Sequence, residues 1–420
     1  MRRKTSSLER FMLFFGRQYP LNFGFKVTVG GLLDEARARE ALVTLAARHP
    51  LLYAHQEYTI GKQMDMIFDG VPALLVSTIA GGDQAWQDLL LARMGRSFDP
   101  FTGPLFSLDL RHVAGKTELF FVFQHGAADG IAAVYFINDF LRVAGGLAVE
   151  IPDVPAMPVL YDVLEEDVAR ELSTRPEPDW KKETPPEPKP FDMPPYAVPD
   201  FYLRTFELSE VGTARLAAEA KAGGHTVHSY LGALLMKASA GIFGAEGGME
   251  RVIQCPVDFR QYLKPEYRAI AGVYNGIVKV KLDCASSVPE MAKAIKDGIQ
   301  GFRAGMKDIE EYFHFRDSFD NIADPESFMM GFPPDVLDYD FSFSNLGKTI
   351  VEREYGPLRV QDLYGPIFTA VNNETVIGLN TTNGSLRMSL IFDRKIPKAA
   401  GYERFGDEIE RTLAGFEAAR

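Results

Sequence analysis

Apolar and polar positions alternate along the first regular stretch of the chain. Leu21, Phe23, Phe25, Val27 and Val29 share one face, and the run stops at Gly30-Gly31. A period of two predicts a half-buried strand. The next segment, LLDEARAREALVTLAARHP, shifts to a helical period with Ala38, Leu42, Leu45 and Ala46 on one side, and Pro50 marks its predicted end. Two short strand-like runs and a helix over 84–94 follow. GPLFSLDLRHVAGKTELFFVFQ predicts two strands joined by a turn at Ala114-Gly115-Lys116. The second of these runs directly into HGAADG, and IAAVYFINDFLRVAGG behind it has the pattern of a helix.

The pattern breaks over 175–200, where PEPDWKKETPPEPKPFDMPPYAVPD carries too much proline for a helix or a central strand. It reads as a semi-rigid spacer; the alternative is a ligand for a proline-recognising partner. Beyond it the same alphabet returns. FYLRTFELS predicts a strand, EVGTARLAAEAKAGG a helix ending in glycine, and HTVHSYLGALLMKASAGIFG a more apolar helix. RVIQCPVDFR and AGVYNGIVKVKLD read as strands, 288–315 as a long amphipathic region, and DFSFSNLG as a strand. TVIGLNTTNGSLRMSLIFD predicts a hairpin turning at Asn383-Gly384, and an amphipathic helix closes the chain. Alternating strands and helices in both halves predict an α/β protein of two lobes: 1–174, a linker at 175–200, and 201–420. The length agrees, because a single core stops growing near about 250–300 residues and this chain has 420.

Charge narrows the function classes. Forty-five basic against 57 acidic residues give a net charge of −12, which argues against a nucleic-acid partner. Phe11 to Phe15 is too short an apolar run for a secretory leader, and no stretch approaches a membrane span. The expectation is a soluble, cytoplasmic protein. Cys255 and Cys284 sit in apolar strand-like runs without metal-ligand spacing and read as buried, reduced thiols.

The candidate chemistry lies in Gln124-His125-Gly126-Ala127-Ala128-Asp129-Gly130. His125 leaves an apolar strand at a loop, the kind of place where functional side chains gather on a rigid scaffold. Imidazole, with an ordinary pKa near about 6.5, suits a general base at neutral pH. The plainer reading is a core histidine whose loop Asp129 caps. Two further segments bear on the choice: CPVDFRQYL places Arg260 just past a strand, and FSFSNLG places Ser344 and Asn345 at another strand end.

With these segments the sequence resembles the chloramphenicol-acetyltransferase-like superfamily. That superfamily includes alcohol acyltransferases, polyketide-associated acyltransferases and nonribosomal peptide condensation domains. Its HHxxxDG hallmark corresponds to QHGAADG; RHPLL at 48–52 before it and VDFR, YNG and SNLG after it stand in the family's order. The resemblance implies two α/β lobes with a channel between them and an acyltransferase of thioester donors. It implies His125 as the general base and Asp129 as the residue that orders the loop, with Arg260 as its candidate ion-pair partner. Gly130 would supply the turn. Ser344, Asn345 and Asn275 of the YNG segment are candidates for the oxyanion or the channel wall. Gln124 departs from the family pattern, standing where the first His of the hallmark usually stands.

The implied reaction moves an acyl group from CoA or a carrier protein to a small-molecule alcohol or amine. It needs no permanently bound cofactor and no metal. The alternatives are a condensation-type amide synthase acting on carrier-bound substrates and an inactive member that binds acyl chains or carriers. Other patterns lead nowhere. LGKT lacks the P-loop glycine, since position 342 is Ser342, and there is no GxSxG elbow. His225 and His228 have no third metal ligand and read as capping or surface residues.

Overall fold

The computed structural model describes residues 1–18, 20–57, 64–152, 158–159, 162–176, 200–244, 250–307, 309–310, 339–370 and 374–418. Most of the proline-rich spacer, and the amphipathic region beyond 310, therefore lie outside the described residues.

Two six-stranded sheets organise the chain. The first holds, in spatial order, Glu354–Tyr355, Leu358–Phe368, Asn22–Gly30, Lys116–Gln124, Phe106–Val113 and Val76–Ile79. The second runs Asn275–Asp283, Glu250–Asp258, Phe341–Lys348, Thr375–Thr382, Ser385–Asp393 and Phe201–Leu208. Each packs helices over an apolar face, and two separate buried clusters result. Phe120, Phe121 and Phe123 of the ELFFVF run are fully buried in the first cluster, so they are core and not substrate wall.

The predicted hairpins are present. Ala114 and Gly115 turn the first at φ 48° and 76°, and Asn383 and Gly384 turn the second at φ 53° and 90°. Two details differ from the sequence pattern. Pro50 does not simply end a helix: the helix Glu35–Leu45 stops earlier, and Pro50 opens a short helix, Pro50–Tyr53, where its fixed φ is favourable. The strand of AGVYNGIVKVKLD begins only at Asn275.

The larger difference is the strand Leu358–Phe368. It lies in the second half of the chain, within the stretch expected to form the C-terminal lobe, yet it pairs antiparallel with Asn22–Gly30 of the first sheet. Two register shifts, at Val360/Asp362 and at Tyr364/Ile367, interrupt its alternation and hide it from a period-two reading. It is pinned to the second sheet as well. Asn380 donates to the carbonyls of Leu363 and Gly365, and Ser389 donates to that of Pro366. Gly378 permits the approach, because a β-carbon there would collide with the Pro366 carbonyl.

Candidate active site

The strand Lys116–Gln124 delivers the QHGAADG loop, and the helix Gly130–Ala144 begins directly behind it. Asp129 is the N-cap of this helix: its Oδ1 accepts from the Ala132 N–H at 2.8 Å. The second half of the chain holds the same carboxylate from the other side. Arg260 Nη2 donates to Oδ1 at 2.8 Å, and the Tyr274 N–H donates to Oδ2 at 2.7 Å. The Asp129 N–H donates in turn to the Gly272 carbonyl at 3.0 Å.

Arg260 is itself fully engaged. It donates to Asp258 at 2.6 Å and to the Arg268 carbonyl at 3.1 Å, and its guanidinium lies 4.9 Å from the Tyr274 ring centre. Burial works against its charge, but Asp129 and Asp258 outweigh that and push its pKa up. Arg260 thus stays cationic inside the protein.

His125 sits between these fixed points. Its backbone N–H donates to the Leu21 carbonyl at 2.9 Å, and its ring packs against Phe23 and Phe368 at centroid distances of 5.2 and 5.3 Å. Nδ1 stands 3.1 Å from the Ala128 carbonyl. A carbonyl can only accept, so Nδ1 carries the proton and Nε2 of the neutral ring is left with a free lone pair. Burial lowers the His125 pKa from 6.5, against the opposing pull of the Ala128 carbonyl and the Asp129 charge. The imidazole is therefore neutral at neutral pH.

Gln124 points away from the cavity. Its Nε2 donates to the Met12 carbonyl at 3.0 Å and its Oε1 accepts from the Gly126 N–H, so the side chain ties the loop to the helix Ser7–Gln18. Gly130 has a role other than the predicted turn. Its φ is not positive; a β-carbon there would come within 2.8 Å of Leu346, so glycine lets the helix start pass under the strand Phe341–Lys348.

A cavity of about 1070 Å³ opens between the two sheets, lined by His125, Asp129 and Phe368 from the first-sheet side and by Asn275, Ser344 and Asn345 from the second. Every expected site residue except Gln124 borders this space or, like Gly130 and Arg260, closes its wall. The Asn345 side-chain oxygen is occupied by the Gly347 N–H at 2.7 Å, whereas Asn275 Oδ1 is buried without a hydrogen-bond partner. His228, expected at a cap or on the surface, lines the cavity instead and lies 3.3 Å from Cys255 Sγ. Burial pushes its pKa down to about 4 and pushes the Cys255 thiol up, so the two form a neutral contact and not a thiolate–imidazolium pair. Among the described residues there is no cluster of three or more metal-ligating side chains, and no helix is long and apolar enough to cross a membrane.

Sequence reasoning did not single out Phe23, Phe368 or His49. His49 is wholly buried; its Nδ1 accepts the Ala271 N–H at 3.1 Å and its Nε2 faces Asp139 at 3.0 Å. It thereby anchors the segment whose Gly272 and Tyr274 hold Asp129. The RHPLL segment was its signal, but spacing alone does not reveal a partner so distant in the chain.

The trichothecene 15-O-acetyltransferase of Fusarium sporotrichioides superposes on this chain with a TM-score of 0.72, covering 99% of this chain and 95% of that one at 12% identity. The chain shares the fold of this acetyltransferase. Two further members of this fold align over equal lengths. Polyketide synthase associated protein 5 of Mycobacterium tuberculosis gives a TM-score of 0.67 at 16% identity, covering 99% of this chain and 98% of that one. The first condensation domain of the CDA synthetase gives 0.70 at 15% identity, covering 99% and 96%. In sequence, residues 199–331 match the family model described as phthiocerol/phthiodiolone dimycocerosyl transferase C-terminus. No curated protein matches the sequence significantly.

Proposed function

We propose that this chain is an acyltransferase that moves an acyl group from a thioester to a hydroxyl or amine by direct transfer, with His125 as general base. The observation that carries this reading is the hydrogen bond from Nδ1 to the Ala128 carbonyl, which leaves Nε2 unprotonated on a ring that borders the inter-sheet cavity. Nε2 takes the proton of the acceptor as its oxygen or nitrogen attacks the thioester carbonyl. The tetrahedral intermediate then expels the thiolate, and the imidazolium returns the proton to sulfur. The Ala128 carbonyl, fixed on the Nδ1 side, steadies the ring through both proton transfers.

The cavity supports a two-substrate reaction. A single small ligand fills about 300–1,000 Å³, and about 1070 Å³ accommodates an extended donor arm beside an acceptor. Holding both in line supplies much of the acceleration. Asn275 and Ser344 are the candidate hydrogen-bonding groups for the oxyanion and the channel wall. CoA or a carrier-borne phosphopantetheine thioester enters as co-substrate, and no resident cofactor or metal takes part. Asp129 and Arg260 act as positioning residues, since their polar atoms are taken up by one another and by the backbone.

The test is thiol release from acyl-CoAs of graded length, each paired with a panel of alcohols and amines. Release that requires an acceptor and is lost in His125→Ala is the expected result; full activity in His125→Ala overturns the reading. The likeness to a condensation domain supports a second reading, amide formation from carrier-delivered donors. That reading gains if acyl-pantetheine on a carrier protein reacts while every acyl-CoA stays silent.

A further inference from the structure

The parallel pairing of Phe341–Lys348 with Thr375–Thr382 gives the cavity a long axis. Leu346 stands against Gly130, beside the His125 loop. Ser342 pairs with Val376, so Glu374 lies level with Asp340, six positions back along the strand direction. At roughly 3.3 Å per residue this places Glu374 on the order of 20 Å from Leu346 along the strand. Leu346 and Glu374 border one cavity, which also takes in Tyr339, Ser342, Gln254 and His228.

Glu374 is anomalous in this setting. The Tyr339 hydroxyl donates to its Oε1 at 2.8 Å, and among the described residues it has no other hydrogen bond and no cation within ion-pair distance. Lys279 is directed to the Tyr339 ring, 5.7 Å from its centre. Burial drives the Glu374 pKa up to about 7, with only the Tyr339 hydrogen bond pulling the other way. A cavity carboxylate without an ion-pair partner among the described residues costs free energy that a cationic ligand offsets.

We propose that Glu374, held by Tyr339, is a recognition site for an ammonium group on the substrate, on the wall of the same cavity that His125 borders. This deepens the acyltransferase reading and rests on it for the identity of the cavity as a substrate channel. The ammonium has two possible sources: the far end of the acyl chain, or the far end of the acceptor. The observations define the shared chemistry, a primary or secondary amine carried at the end of an extended chain.

Binding, measured by calorimetry, tests the site without any turnover. One arm uses linear α,ω-aminoalcohols from butanol to hexadecanol length against the matching plain alcohols. The other uses ω-aminoacyl-CoAs against the matching acyl-CoAs. In at least one arm, and within a limited window of chain length, the amine is expected to bind about ten- to a hundredfold more tightly than its methyl-ended counterpart. Glu374→Gln is expected to abolish that preference, Tyr339→Phe to weaken it, and His125→Ala to leave it in place. The proposal is overturned if neither arm shows a preference for the amine, or if the preference survives in Glu374→Gln. The thiol-release assay reports separately on acyl transfer, so loss of one reading leaves the other open to judgement.

Discussion

Arg260 Nη2 meets Asp129 Oδ1 at 2.8 Å across 131 positions of sequence, so the loop that carries His125 in the first half of the chain is closed by a side chain from the second. Both partners are buried, at 5% and 4% exposure. Removing Arg260 leaves the buried Asp129 carboxylate with two backbone N–H donors but no ion-pair partner.

Arg260→Met is therefore expected to destabilise the protein by about 3–5 kcal/mol and to abolish acyl transfer, measured by urea denaturation and thiol release together. Arg260→Lys is expected to recover little. An ammonium cannot reach Asp129, Asp258 and the Arg268 carbonyl at once as the planar fork does. Wild-type stability in Arg260→Met would contradict the role given to the pair.

The His125 base works only when neutral. Its pKa lies below 6.5, so transfer is expected to be fully active at neutral pH and to fall on the acid side as the ring protonates. A pH profile of kcat/KM reads this out, with an inflection below 6.5 as the expected outcome. His125→Ala should lower the rate by about 10²–10⁴-fold while leaving the thermal midpoint close to that of the wild type.

Gln124 holds the loop without touching the cavity. Gln124→Ala leaves the Met12 carbonyl and the Gly126 N–H without their partner, at a cost of about 1–3 kcal/mol. The acid-side inflection of the kcat/KM profile should stay where it is. An inflection that moves would show that Gln124 communicates with the base after all.

Two groups that line the cavity oppose each other in the dependence of stability on pH. The folded pKa of His228, about 4, lies below its ordinary 6.5, so its contribution is present above 6.5 and lost as pH falls toward 4. The folded pKa of Glu374, about 7, lies above its ordinary 4.5, so its contribution is present below 4.5 and lost as pH rises through 7. In the wild type the two trends partly cancel. Glu374→Gln should therefore gain more stability between pH 4.5 and 7 than the wild type does. Denaturation midpoints across that window check it, and parallel curves for the two proteins would refute it.

Local signals made much of this molecule legible from its sequence. The Asn383-Gly384 turn, the long apolar alternations and the glycine-ended helices are determined by neighbouring residues, and each is present. The His125 loop and its Arg260 partner followed from motif order, and the structure brings them together. What escaped depends on contacts between distant segments. Leu358–Phe368 was hidden because its register shifts turn Asp362 and the Gly365-Pro366 pair against the alternation. With it went Phe368, the wall of the His125 ring. The bridge from His49 to Ala271 spans 222 positions, and no local pattern encodes a partner so far away.

The crossing of Leu358–Phe368 into the first sheet bears on how the protein is made. During synthesis the strand Asn22–Gly30 emerges early and pairs on one side with Lys116–Gln124, while its other edge waits for residues more than three hundred positions downstream. Through that interval the nascent chain carries an open, apolar strand edge, a template for pairing with other chains. A ribosome stalled before residue 358 would release a fragment that has His125 and most of its sheet but lacks the strand that seals it. Such fragments should aggregate, and co-expressing the two halves as separate chains should yield soluble protein only when both are present to pair.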